Sequence, residues 1–176
     1  MDNNNMMTIK RYFYLLSVFL SGSCLVIMTL LILSQIAARS LGIIIPSSED
    51  FAGWLLSATV FFGLAYTFNY GGHIRVTILL SRLKGVKRFY IETFNLFAAL
   101  LISGYLMFYT AYTVYDSYIY EEVTDTYLVM PLWLVQLPMA IGSLFLFIAI
   151  VDNFIDSISG KKPSYLVHEE DLGNME

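Results

Sequence analysis

The chain has 176 residues, of which 57% are hydrophobic and 14% charged, with a formal net charge of −4. Soluble domains carry about a quarter charged residues, so this is membrane composition and leaves no room for a folded extramembrane module. No basic patch interleaved with aromatics points to nucleic acid, and the net charge says little because the charges segregate along the chain.

Four uncharged runs, residues 12–38, 51–72, 93–115 and 126–151, each exceed the roughly 20 residues that cross a hydrocarbon core about 30 Å thick. If all four span, every Lys and Arg except Arg39 falls on one side. Lys10 and Arg11 precede the first run, Arg75, Arg82, Lys84, Lys87 and Arg88 separate the second and third, and Lys161 and Lys162 follow the fourth. The positive-inside bias then predicts an all-α integral membrane protein with four transmembrane helices and both termini cytoplasmic.

In chain order, residues 1–11 are expected as a polar cytoplasmic arm, disordered over 1–8. A signal h-region is about 7–15 residues long, so the longer first run is expected to stay as helix one, over 12–39. Tyr12, Phe13 and Tyr14 sit at its headgroup level. In the outer loop, Ser47 or Ser48 is placed to cap helix two (49–71), with Glu49 and Asp50 complementing its dipole. Gly71 and Gly72 stop that helix. Between residues 74 and 89, apolar Ile74, Ile78, Leu79, Val86 and Phe89 alternate with basic residues. This segment reads either as an amphipathic helix in the inner interface or as the basic ends of two helices meeting at a turn.

Helix three is predicted over 89–115, and Tyr105, Phe108, Tyr109 and Tyr112 share one face at spacings of three and four. Asp116, Glu121, Glu122 and Asp125 make the following outer loop acidic. Helix four is predicted over 131–156, with Pro131 in its first turn, Pro138 as a second boundary or kink, and Trp133 in the outer aromatic belt. Asp152 and Asp156 lie a turn apart at its exit, and residues 157–176 form an acidic cytoplasmic tail. The small-residue pairs Ser17/Ser21 and Gly53/Ser57 permit close helix approach.

Charges at mid-membrane depth are costly and kept for coupling or relay work, and these runs have none. Small four-helix multidrug exporters need a carboxylate in their first helix, which is missing here. The helix amides Gln35, Asn69, Asn95 and Gln136 are all placed toward helix ends. There is no Ser/His/Asp set, CxxC, HExxH or phosphate-binding Gly loop, so no enzyme activity and no cofactor are expected. Cys24 reads as an apolar packing residue, and His73 and His168 lack neighbours at metal-ligand spacing.

At Glu49, Gly63, His73-Ile74-Arg75-Val76, and the segment from Pro131 through Trp133 and Pro138 to Gly142, the chain resembles a known family. It is similar to the small four-helix subunit of tripartite ATP-independent periplasmic (TRAP) transporters. Thr77 stands where that family's post-helix-two signature carries Asp. The resemblance implies a bacterial inner-membrane scaffold for a large multi-span subunit, which carries substrate and sodium sites and moves as an elevator. It also implies a periplasmic binding protein that delivers an organic acid, of C4-dicarboxylate or sialic acid type. On that reading Tyr105, Phe108, Tyr109, Tyr112 and Trp133 face the large subunit, and Asp116, Glu121, Glu122 and Asp125 help receive the binding protein. His73, Arg75, Arg82, Lys84, Lys87 and Arg88 anchor the inner interface and its lipids. The other reading is a self-contained tetraspan adaptor or small homodimeric transporter.

Overall fold

The computed structural model of the chain describes residues 3–69 and 86–158. They form four helices: α1 (Asn3–Ser40), α2 (Ser48–Asn69), α3 (Val86–Ile119) and α4 (Leu132–Ile158). Each is long and apolar enough to cross a membrane. Among the described residues the only extended pairing is an isolated bridge between Val123 and Pro131. The 74–89 segment up to residue 85, with His73, Arg75, Arg82 and Lys84, lies outside the described residues, as does the tail after 158.

Three boundaries differ from expectation. α1 begins at Asn3, inside the segment expected as a disordered arm, because no Pro or Gly interrupts the turns that precede the apolar span. α3 runs on to Ile119, so Asp116 belongs to its last turns and not to the loop. Pro138 lies within α4 and forms no boundary. Its missing N–H leaves the Leu134 carbonyl without the usual helical donor.

The ends of α1 and α3 close in the same way. Gly42 adopts φ 76°, its N–H bonds the Arg39 carbonyl at 3.1 Å, and the Ile43 N–H reaches the Ala38 carbonyl at 2.9 Å. At α3, Glu121 takes the left-handed position (φ 50°), and the Glu122 N–H bonds the Ser117 carbonyl at 3.1 Å. Both are Schellman closures, the second built without the glycine that removes the Cβ penalty. Neither Ser47 nor Ser48 caps α2 through its hydroxyl. Ser48 Oγ donates back to the Ile45 carbonyl, and Ser47 Oγ accepts from the Leu128 N–H at 3.1 Å, joining the two loops at this end of the bundle.

The helices pack as α1 on α2, α2 on α4 and α4 on α3. α1 also meets α4 at the end away from those loops, where Phe13 and Phe145 rings lie 4.6 Å apart and Tyr14 sits beside Asp152. The contacts are made by small and polar residues. Ser17 donates to the Phe62 carbonyl and Ser21 to the Thr59 carbonyl at 2.7 Å. Gly63 lies opposite, where an added Cβ would come 3.2 Å from Ser21 Oγ. The Ser17/Ser21 expectation therefore holds. Gly53 instead faces open space, so it serves no close helix approach.

Between α2 and α4, a Cβ on Gly142 would stand 2.5 Å from the Phe61 carbonyl carbon, so only glycine admits this approach. Along α3, the buried residues Leu96, Ser103, Thr110 and Ser117 recur every seventh position and form one stripe against α4. Thr110 and Ser143 share a 2.6 Å hydrogen bond across that contact. The largest fully buried side chains are Asn153, Ser17, Ser117 and Ser143, whereas Leu, Ile and Phe crowd the exterior. In water this would be an inverted protein; in lipid, which supplies no hydrophobic drive between helices, it is the expected arrangement.

Candidate interaction surfaces

Tyr105, Phe108, Tyr109 and Tyr112 project from the side of α3 opposite its buried stripe, at 65%, 62%, 49% and 53% exposure. Within the chain they touch mainly each other: Tyr105 and Tyr109 rings lie 4.3 Å apart, and Phe108 meets Tyr109 edge-on at 5.6 Å. Trp133 stands apart from this face, half-buried and edge-on to Tyr118 at 5.9 Å.

The acidic residues gather at the loop end. Asp116 is half-buried on α3, Glu121 and Asp125 are exposed, and the Glu122 carboxylate accepts from Ser117 Oγ at 2.8 Å. The loop they border is built and not merely solvated. Thr124 is its hub: the backbone N–H donates to the Met130 carbonyl at 2.9 Å, and Oγ1 accepts from the Met130 N–H at 3.0 Å. Thr126 Oγ1 donates to the Leu128 carbonyl at 2.7 Å. This frame holds Tyr120, Tyr127, Leu128 and Val129 outward, Tyr127 at 87% exposure. In sequence Tyr127, Leu128 and Val129 are hidden, because 126–130 continue the uncharged run that leads into helix four.

Of the basic residues, Lys87 and Arg88 lie in the first turn of α3. At the loop end, Arg39 and Glu49 pair at 3.4 Å with side chains 68% and 80% exposed, beside a shallow pocket lined also by Gln35, Ile36 and Ser40. An ion pair so exposed is worth under about 1 kcal/mol.

Asn153 was also overlooked. It is fully buried, and its Nδ2 donates to Asn69 Oδ1 at 3.3 Å and to the Ala149 carbonyl at 2.8 Å. Its place directly after Asp152 let it read as part of a charged exit; its spacing from Ala149 and Gly142 on one helix face was the available signal. Thr93 Oγ1 and Gln136 Oε1 are the buried side-chain oxygens without a partner among the described residues. Among those residues, no group of three His, Cys, Asp or Glu could hold a metal ion.

A membrane-spanning bundle that commits several interior hydroxyls and amides to bonds between helices, with an aromatic face turned outward, has the makings of an assembly component. The family model for Tripartite ATP-independent periplasmic transporters, DctQ component, matches residues 28–160, and the chain belongs to that family. It is thus the small, inner-membrane component of a transporter that also comprises a large component and a substrate-binding protein. No curated protein matches the chain.

Proposed function

We propose that this chain is the small permease subunit of a sodium-driven TRAP transporter for organic acids, of C4-dicarboxylate or sialic acid type. It braces the large subunit and supplies part of the surface that receives the periplasmic binding protein. The observation carrying this reading is the chemistry of the interior. Ser17, Ser21, Thr110, Ser143, Asn69 and Asn153 are all engaged in bonds between neighbouring helices, and residues 12–38, 51–72, 93–115 and 126–151 hold no Asp, Glu, Lys, Arg or His. Such a bundle has packing faces to offer and no coupling groups.

In this reading both termini face the cytoplasm. The basic segment from His73 to Arg88 anchors the inner interface, and the loop end faces the periplasm. Asp116, Glu121, Glu122 and Asp125, with the neighbouring exposed tyrosines, form the subunit's share of the docking surface.

The test is uptake of a C4-dicarboxylate and of a sialic acid into proteoliposomes under an imposed sodium gradient. Vesicles holding this chain, the large component and the binding protein should accumulate one of them, and omission of any component should abolish uptake. Flux through vesicles with this chain alone would favour a self-contained transporter instead. Neutralising all four carboxylates should weaken binding-protein affinity; an unchanged affinity removes the docking role.

A further inference from the structure

The outward tyrosines of α3 sit at the wrong depth for a lipid-facing surface. Tyr105 lies one residue from the middle of the uncharged stretch 93–115, and Tyr109 one turn further along. At the helical rise these positions are about 2 and 8 Å from mid-depth. Phenols in lipid favour the headgroup interfaces, where the ring is shielded and the hydroxyl is wet. Here two phenols stack at mid-membrane, their rings 4.3 Å apart.

The other exposed hydroxyls of the spans show how this chain treats polar groups that face outward. Ser23, Thr29, Thr67 and Thr113 each donate to the carbonyl four residues back on their own helix, at 2.7–2.9 Å. A tyrosine hydroxyl stands too far from its backbone to do this. The pair can satisfy at most one proton internally, which leaves at least one donor on this exposed face in need of an outside acceptor. Among the described residues the chain offers the two phenols no other polar partner. Hydrocarbon offers none either.

Resting on the function proposed above, we infer that this face docks a membrane helix of the transporter's large component that carries an uncharged hydrogen-bond acceptor at mid-depth. A carbonyl freed by a helix break, a side-chain amide or a hydroxyl would serve. Phe108 and Tyr112 pack around the contact, and the Tyr105–Tyr109 pair donates into it. The hydroxyls thereby fix the depth at which the two subunits register. An aromatic surface alone could slide by a turn.

The test uses the whole complex, co-expressed. Tyr105→Phe with Tyr109→Phe removes only the two oxygens and keeps the ring stack. The double variant should retain the large component ~3- to 10-fold less well under detergent challenge, the range for one interhelical hydrogen bond in lipid. Separately, in an otherwise unaltered chain, a benzophenone photocrosslinker at position 105 should capture the large component, and one at Val60, exposed on α2, should not. Undiminished retention by the double variant overturns the inference and leaves the scaffold reading standing. A crosslink from position 105 to lipid or to a second copy of this chain also overturns it. If the unaltered chain fails to retain the large component at all, the scaffold reading falls and this inference with it.

Discussion

Gly142 marks the tightest approach in the bundle, since its missing Cβ is the space occupied by the Phe61 backbone. Backbone cannot yield as a flexible side-chain end would, so Gly142→Ala must push α2 and α4 apart. The expected cost is about 1–3 kcal/mol, read from the unfolding of purified subunit in mixed micelles. Gly53→Ala is the matched control. No atom lies within 4 Å of its added methyl, and the gain in helix propensity should leave stability unchanged or raised by up to about 1 kcal/mol. Equal losses at both sites would mean that helix approach is not what Gly142 provides. The two glycines look alike in sequence; only the partner across the helix pair separates them.

At the level of elements, α3 depends on a single seam. Among the described helices its main packing partner is α4, and the Thr110–Ser143 hydrogen bond sits within that seam. A double-mutant cycle with Thr110→Val and Ser143→Ala should give a coupling of about 0.6–1.7 kcal/mol, the range found for hydroxyl pairs in membrane bundles. Additive single effects would place the two residues in separate roles.

The helices themselves were legible in sequence because lipid forces every backbone group into helical pairing, which makes length and charge sufficient. The aromatic face of α3 was legible for the same reason that any helix face is, through spacings of three and four. The Thr124 hub, the Ser47–Leu128 tie and the Asn69–Asn153 pair were not. Each joins residues by a backbone turn or by separations of 81 and 84 residues, and no local periodicity encodes such a partner. The capping role expected for Ser47 failed because its left-handed φ carries the hydroxyl toward the other loop.

Across the whole molecule, burial rises from 6% of the most apolar window in α1 to 28% in α4, so α4 is the hub and α1 the least covered helix. In the orientation proposed above from the positive-inside bias, the loop end faces the periplasm. In a Cys24→Ala background, Tyr127→Cys should react with a membrane-impermeant thiol reagent added to spheroplasts, since residue 127 is nearly fully exposed at that end. Labelling only after the membrane is opened would invert the orientation.

The two long-range ties have a mechanical consequence. Ser47 with Leu128 clasps the first helical hairpin to the second at one rim, and Asn69 with Asn153 clasps α2 to α4 near the other. Ties at both rims resist hinge-like splaying of the first hairpin from the second. In the bracing role proposed above, such a support is expected to tilt more readily as one plank than to bend between its hairpins.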